Sequence, residues 1–196
     1  GYQVVIIDKH NYHQFPPLFY QVASAGLDAS SILFPLRKIF QNYSDYHIRK
    51  AEVKSVDPVN KRVVTSGGTI RFDFLVLAHG ATNSFFGSVQ MQQHSKAMKT
   101  IAEVIDLRNS LLMNFENALI VSDVSEREKF LNIVIVGGGP SGVEIAGALA
   151  EMNKHIIPKD YPELRTNRPR IFLIEAAERL LNMMSARSSL KAQEFL

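Results

Sequence analysis

Four short stretches of the chain are runs of branched or aromatic apolar residues, and they lie within residues 3–8, 74–78, 133–136 and 170–175. Such runs, which lack alternating polar positions, are typical of strands buried on both faces of a parallel sheet. Apolar residues at helical spacing predict a long amphipathic helix over residues 100–119. The succession of strands and helices therefore predicts an α/β fold.

Weaker patterns predict further elements between these runs. A short helix is expected over residues 18–26, and a second helix from Ser30 or Ser31 through residue 40. Because Pro35 is tolerated only near the first turn of a helix, the regular part of the second helix is expected to begin there. The other predicted elements are a mixed strand over 46–57, a hairpin of 61–65 and 69–72 around 66–68, a helix over 125–131, and a last helix over 180–196.

The most informative stretch is 132–151, where a strand pattern leads into three glycines and then into a helical pattern. Gly137, Gly139 and Gly142 fit the G-x-G-x-x-G fingerprint in the strand-to-helix context that gives it meaning. The first glycine permits a tight turn, the second lets the backbone approach a pyrophosphate, and the third lets helix and strand pack closely. The stretch predicts a dinucleotide-binding site, with a plain strand–turn–helix as the alternative.

Two predicted strands end in a carboxylate, Asp8 in the first and Glu175 in the last. In a dinucleotide-binding unit, the acid that ends the second strand accepts hydrogen bonds from ribose hydroxyls. An acid at Glu175 favours NAD(H), because it repels the 2′-phosphate of NADP(H), although Arg179 could soften this preference. No glycine-rich turn precedes Asp8 in the chain. Either Asp8 is only a strand-ending acid, or the first strand and its glycine loop are missing, and we expect the second.

The composition excludes several functional classes for this chain. Hydrophobic residues make up 46% and charged residues 21% of the 196 positions, as in ordinary globular proteins. A net charge of +3 with scattered basic residues predicts no nucleic-acid partner. The absence of cysteine excludes a disulfide framework and a redox-active thiol pair within these residues. No apolar run is long enough to span a membrane. His10 and His13 are interpreted as loop histidines, so no metal site is predicted.

Two strand-plus-acid units predict two Rossmann-like dinucleotide-binding units, both incomplete in this chain. Without its first strand, the sheet of the first unit would lose ladder hydrogen bonds and expose an apolar edge along residues 3–8. We therefore expect the chain to be a fragment whose first site is incomplete.

The chain resembles the type II NADH dehydrogenase (NADH:quinone oxidoreductase) family, within the flavoproteins that carry two dinucleotide-binding domains. The matching stretches are 4–13, 17–23, 73–78 and 137–151, together with Glu175-Ala176 and Arg179-Leu180-Leu181. The resemblance covers nearly all of the chain but only about half of the family's length. It implies a partial FAD-binding domain at 1–88, a helical connector at 89–131, and the first half of an NAD(H)-binding domain at 132–196.

The resemblance also implies the residues that bind the cofactors. For FAD these are Asp8 at the adenosine ribose, Val53 at the adenine, Ala78, Gly80 and Ala81 beside the flavin, and Pro17, Tyr20 and Gln21 near the isoalloxazine. For NAD(H) they are Gly137, Gly139, Ser141, Gly142 and Glu175.

Glu144 matches a family carboxylate near the nicotinamide–flavin contact and is the candidate catalytic residue. The alternative is a polar residue in the first helical turn, stabilised by the helix dipole. His79 departs from the family pattern, which usually has a threonine there.

By this resemblance the protein is an enzyme that passes a hydride from NADH to FAD and then electrons to a quinone. Two alternatives stay open: a nicotinamide-binding, redox-sensing module without turnover, and the same flavoenzyme with a non-quinone acceptor. The resemblance implies peripheral association with the cytoplasmic face of a membrane through a missing carboxy-terminal segment. The fragment itself is expected to be soluble, and a homodimer is left open.

Overall fold

The computed structural model describes residues 1–196, and these form two compact units. Unit 1 comprises residues 1–15 and 30–84, and unit 2 comprises residues 16–29 and 85–196. In chain order the elements are β1 (Val4–Asp8), β2 (Tyr12–Gln14), α1 (Phe19–Ala23), β3 (Leu33–Pro35), α2 (Leu36–Ile39), β4 (Tyr46–Lys50), β5 (Val53–Asp57), β6 (Arg62–Thr65), β7 (Gly68–Arg71), α3 (Val89–His94), α4 (Ile101–Ile120), α5 (Val124–Leu131), β8 (Asn132–Val136), α6 (Pro140–His155), α7 (Ile157–Asp160), β9 (Arg170–Ile174) and α8 (Ala186–Phe195). Short 3₁₀ turns lie at Pro16–Leu18, Ala29–Ile32 and Pro162–Leu164. The domain boundaries predicted from the sequence, at residues 88 and 131, divide the chain by cofactor-binding unit, whereas the two units described here are defined by compactness. The predicted boundaries therefore stay a prediction.

Unit 1 contains three small sheets. β1 pairs with β4 in parallel, and β2 pairs with β3 in antiparallel fashion. β5, β6 and β7 form an antiparallel sheet, in which the predicted hairpin at residues 66–68 is confirmed. Thr65 closes that turn, since its hydroxyl donates to Gly68 O at 2.8 Å and accepts from Gly67 N at 3.1 Å.

Unit 2 combines a helical layer with a two-stranded parallel sheet. β8 and β9 pair in register from Asn132 opposite Arg170 to Val136 opposite Ile174. α6 packs on this sheet and also contacts α1, which in turn packs on α4. The buried residues at these contacts are apolar: Phe19, Val22, Ala23, Val104, Leu111, Phe115, Ala118, Ile145, Ala146, Leu149 and Met152.

The long helix α4 confirms the pattern over residues 100–119 and begins with a capping box. Thr100 Oγ1 accepts from Glu103 N at 3.3 Å, and Glu103 Oε2 accepts from Thr100 N at 2.8 Å. After α6, residues 156–169 form α7 and a 3₁₀ turn that bury Ile157 and Leu164. Tyr161 ties this insertion to α4, because its hydroxyl donates to Glu116 Oε1 at 3.1 Å.

The second predicted helix is wrong over residues 30–35, whereas α2 forms the regular part expected after Pro35. The chain instead forms a 3₁₀ turn at Ala29–Ile32, the strand β3 and then the four-residue helix α2. Pro35 would break a helix at this point. The backbone of β3 is instead used in pairing with β2, which satisfies its polar groups.

The strand predicted at residues 74–78 is also wrong. The segment has no regular structure, and Phe74 and Val76 are 79% and 86% exposed. An apolar run forms a strand only where a neighbouring strand accepts its backbone hydrogen bonds, and no strand of the chain lies beside this one.

The expectation that the apolar strands are covered on both faces fails as well. Ile133 and Ile135 in β8 are half-buried, whereas Val134 and Val136 are 55% and 60% exposed. β9 alternates in the same way, with Phe172 and Ile174 on its exposed face. One helix layer covers one face of this sheet, and no other element of the chain covers the second.

Two glycines of α6 predict opposite responses to the same substitution. Ala at Gly142 places its Cβ 1.8 Å from Gly137 O, so Gly142→Ala should lower the free energy of unfolding by roughly 2–3 kcal/mol or more. Ala at Gly147 meets no neighbouring atom within 4 Å, so Gly147→Ala should raise it by about 0.5–1 kcal/mol through helix propensity. Urea unfolding of both variants of the intact protein tests this. Equal urea midpoints for Gly142→Ala and Gly147→Ala would contradict the close packing of Gly142 on Gly137 O.

Candidate functional site

The turn between β8 and α6 is built by Gly137. This residue has a φ of +108°, a conformation that L side chains rarely adopt. Its N–H donates to Ile174 O at 2.8 Å and so extends the β8–β9 ladder by one bond. The chain can then reverse direction and start the helix directly at the end of the strand.

The N-terminus of α6 has open space in front of it. Gly139 is the N-cap, and Pro140 occupies the first helical position, where its missing N–H costs nothing. A Cβ on Gly139 would meet no protein atom within 4 Å, and Ser141 is exposed. The first N–H groups of a helix lack intrahelical partners and carry the positive end of the helix dipole. This end of α6 therefore suits an anion such as a pyrophosphate.

Glu175 follows β9 directly and lies beside this turn. Its Oε2 accepts from Gly138 N at 2.6 Å, and its Oε1 accepts from Ala177 N at 2.8 Å. The hydrogen bonds from Ala177 N and then Gly138 N hold the pKa of this carboxyl below its usual value of 4.5. Glu175 is therefore ionised and held in one orientation at neutral pH.

The sequence singles out Arg179 and the stretch 179–181 but predicts no contact between the segment after Glu175 and the glycine loop. Leu181 N donates to Gly138 O at 2.8 Å, so the segment folds back onto the glycine loop. Arg179 closes it further, because its Nη2 donates to Asn182 O at 3.1 Å and to Met184 O at 3.4 Å. The signal that could have found this contact is Gly138, a glycine at a variable position of the fingerprint.

Glu144 lies just beyond the first turn of α6 and is exposed. It is on the same helix as the glycine loop, one turn after the N-terminus. Because the helix dipole acts mainly within the first turn, its stabilisation of this carboxylate is small.

The residues expected at the flavin lie in both units. In unit 1, Asp8 Oδ1 accepts from His10 N at 2.7 Å, in the same local turn that Glu175 forms with Ala177. Val53 opens β5 and is 46% exposed. Ala78, Gly80 and Ala81 lie in the irregular exposed segment that follows residue 73.

The remaining flavin candidates lie in unit 2. Pro17 is exposed in a 3₁₀ turn, and Tyr20 and Gln21 are half-buried in α1. Gln21 Nε2 donates to Tyr20 Oη at 3.1 Å, and Gln21 O accepts from Gly26 N and Leu27 N at 2.8 and 3.1 Å. Since α1 packs on α6, the structure places these residues and the glycine loop in one unit.

Residues 1–196 contain neither a metal-ligating cluster nor a helix that could cross a membrane. No group of three or more His, Cys, Asp or Glu side chains is arranged to hold a metal ion. His10 instead stacks on Tyr12, with ring centroids 5.1 Å apart. None of the helices combines the length and the apolar character needed to cross a bilayer.

The hydrogen bonds to Glu175 predict an acid dependence of stability. Its pKa is lower in the folded than in the unfolded protein, so the unfolded state binds more protons in acid. The resulting stabilisation is complete above pH 4.5 and decreases as the pH falls through the lower folded value. The advantage of the wild type over Glu175→Gln in thermal unfolding should therefore be constant above about pH 4.5 and shrink as the pH falls below it.

The control for this measurement is Glu178→Gln, in the same segment. The Glu178 side chain is exposed and accepts no hydrogen bond in the structure. Its difference from the wild type should stay constant over the same range. A constant difference for Glu175→Gln as well would contradict the described hydrogen bonds.

Known proteins resemble this chain over nearly all of its length. The type II NADH:quinone oxidoreductase NdhA of Mycobacterium tuberculosis is 32% identical over 197 residues, which cover 98% of this chain and 42% of that protein. The external alternative NAD(P)H-ubiquinone oxidoreductase B2 of Arabidopsis thaliana mitochondria is also 32% identical, over 98% of this chain and 35% of that protein. The chain thus spans about two fifths of the length of these relatives. These matches confirm the resemblance to type II NADH dehydrogenases.

The fold is confirmed by a solved structure. The structure of NDH2 from Plasmodium falciparum in complex with NADH matches with a TM-score of 0.88 at 23% identity, over 98% of this chain and 41% of that one. The family model described as pyridine nucleotide-disulphide oxidoreductase matches residues 1–196. The chain therefore belongs to the pyridine nucleotide-disulphide oxidoreductase family.

Proposed function

We propose that the intact protein is a flavin-dependent NADH dehydrogenase that passes electrons from NADH to a quinone. One observation carries the proposal: an open helix N-terminus at Gly139 stands beside an ionised, oriented carboxylate at Glu175. A dinucleotide has matching chemistry, an anionic pyrophosphate next to ribose hydroxyls. The relatives support the choice of reaction, since they are named as NADH:quinone and NAD(P)H-ubiquinone oxidoreductases.

In this proposal unit 2 binds NADH. Gly137, Gly139, Ser141 and Gly142 form the pyrophosphate cradle at the start of α6. A Cβ at Gly139 would project into open space rather than into the protein, so the gap fits a ligand that approaches the backbone closely. Glu175 accepts from the adenosine ribose hydroxyls, and its charge repels a 2′-phosphate.

FAD, when bound, accepts a hydride from the nicotinamide and releases electrons singly or in pairs to an acceptor. Asp8 fits its adenosine ribose, because one hydrogen bond from His10 N orients the carboxylate through Oδ1 and leaves Oδ2 for a hydroxyl. The other residues proposed to contact it are Val53 at the adenine, Ala78, Gly80 and Ala81 along the flavin, and Pro17, Tyr20 and Gln21 near its ring system.

Glu144 is proposed as the carboxylate at the nicotinamide–flavin contact. It is exposed and lies one turn beyond the pyrophosphate cradle on the same helix, so the body of α6 fixes its distance from Gly139.

The proposed electron acceptor is a quinone, and the proposed location is a membrane surface. Quinone is proposed because both relatives are named for a quinone acceptor. We propose peripheral association with the cytoplasmic face of a membrane, because quinones dissolve in the bilayer. The absence of cysteine from these residues leaves no thiol pair here to relay electrons, so direct transfer between the two ring systems is the proposed route.

The test is flavin reduction by NADH in the intact protein and in Gly139→Ala. The wild type should purify with a flavin absorbance that bleaches when NADH is added without oxygen. The added methyl group stands where the pyrophosphate must approach, so Gly139→Ala should keep its flavin but bind NADH at least roughly tenfold more weakly. Alanine is also a poorer N-cap, which should lower stability by about 1 kcal/mol or less.

Gly147→Ala is the matched control, because it makes the same chemical change in the same helix in open space. It should bleach like the wild type. A colourless protein that binds NADH would support a nicotinamide-binding module instead, and NADH binding unchanged in Gly139→Ala would overturn the site. A bleached flavin that no quinone reoxidises would leave the dehydrogenase intact and change its acceptor.

A further inference from the structure

Gly138 is a buried glycine that the dinucleotide fingerprint does not require. Its φ is not positive, so its conformation does not call for glycine. The need for glycine comes instead from the atoms that surround residue 138. A Cβ on Gly138 would lie 2.6 Å from Leu180 Cδ2, 3.0 Å from Glu175 Cβ and 3.2 Å from Glu175 Cγ. The absence of a side chain here is what lets the segment after β9 close on the glycine loop.

Both backbone polar groups of Gly138 are bonded to that segment. Its N–H donates to Glu175 Oε2 at 2.6 Å, and its C=O accepts from Leu181 N at 2.8 Å. We call residues 175–181 with Gly138 the latch. The latch ties the carboxylate to the same loop that forms the pyrophosphate cradle, so the two parts of the site keep a fixed spacing before any ligand arrives.

The backbone of Leu181 supports this reading. It has a φ of +51°, in the left-handed region, which is uncommon and strained for a leucine. Such a conformation persists only when surrounding bonds determine it. Leu181 N donates to Gly138 O, and Leu181 O accepts from Met184 N at 2.7 Å, so both sides of the residue are held.

The latch also engages the cation nearest in sequence to Glu175. A 2′-phosphate is commonly accommodated by an arginine near the ribose. Here Arg179 Nη2 donates to Asn182 O and Met184 O, and its Nε donates to Asn182 Oδ1 at 3.4 Å. These bonds engage Nε and Nη2 and hold the guanidinium on residues 182–184.

We propose that Gly138 is a positioning residue that sets the preference of this site for NADH over NADPH. By admitting Glu175 and Leu180 so closely, it holds the carboxylate beside the glycine loop, where the 2′-position of the ribose must lie, while Arg179 is bonded to Asn182 and Met184. This inference rests on the proposed NADH site in unit 2 and adds a specificity determinant that lies outside the fingerprint.

The test measures the dissociation constants of NADH and NADPH by nicotinamide fluorescence in the intact protein. In Gly138→Ala the new methyl group displaces Glu175 and weakens its bond to residue 138. The ratio of the NADPH constant to the NADH constant should fall roughly tenfold, mainly because NADH binds more weakly. A purely structural role would weaken both nucleotides alike and leave the ratio unchanged.

A second pair of variants identifies the obstruction. Leu180 Cδ2 is the nearest atom to the added methyl group but is the free end of a flexible side chain, so Gly138→Ala combined with Leu180→Ala should keep most of the loss in the ratio, because the contacts with Glu175 Cβ and Cγ remain. Leu180→Ala alone keeps both hydrogen bonds of the latch and should stay within about threefold of the wild-type ratio. If Gly138→Ala alone does not fold, the NADPH-to-NADH ratio of the double variant is compared with that of Leu180→Ala. In the double variant Glu175 must still shift by a few tenths of an ångström to admit the new methyl group, so its ratio should be the lower of the two.

Gly147→Ala again serves as the matched control and should leave the ratio at the wild-type value. An unchanged ratio in Gly138→Ala, or a double variant with the ratio of Leu180→Ala, overturns the latch while the NADH site stands. A wild type that binds neither nucleotide overturns the site and the latch together. If Gly138→Ala does not fold, a double variant with the same ratio as Leu180→Ala also overturns the latch.

Discussion

The close crossing of α6 and the end of β8 is the contact on which the rest of the candidate site depends. A Cβ on Gly142 would lie 1.8 Å from Gly137 O, so helix and strand can approach this closely only where the helix presents a bare backbone. The crossing sets the N-terminus of α6 directly at the end of the strand. Because β9 is paired in register with β8, Glu175 arrives beside the same turn. Open N–H groups and a carboxylate thus meet within one rigid unit, and their combined chemistry matches a pyrophosphate and its neighbouring ribose.

The two strand-ending acids share a local device and differ in what surrounds it. Asp8 and Glu175 each accept the N–H of the residue two positions later, at 2.7 and 2.8 Å. This bond orients a carboxylate without help from the rest of the fold. Glu175 accepts a second N–H, from Gly138, and the segment after it returns to the same glycine through Leu181. In unit 2 the acid is therefore part of the glycine loop's own hydrogen-bond network, whereas in unit 1 the described bond to Asp8 is local.

The apolar strands carry more hydrophobic surface than this chain covers. Val134 and Val136 are more than half exposed, and Phe74, Val76 and Leu77 lie in a segment without regular structure. Parallel sheets of the doubly wound fold are covered by helices on both faces and paired on both sides of each central strand. The exposed residues are those that such a sheet buries, and their pattern agrees with a chain that spans 42% of a relative's length.

Local sequence determined the elements that depend only on residues close to one another in the chain. The glycine fingerprint, the capping box of α4, the hairpin at residues 66–68 and the strand-ending acids were all predictable, because each depends on backbone conformation or on bonds between near neighbours. The α/β class followed from their order. Tertiary structure decided what depends on partners distant in the chain. Residues 74–78 have the sequence pattern of a strand but have no strand beside them. Residues 33–35 lie in a helical sequence pattern but form a strand that pairs with β2. The role of Gly138 was likewise invisible in sequence, because its need for glycine comes from Leu180 and Glu175, some forty residues away, which reach it only once β8 and β9 are paired.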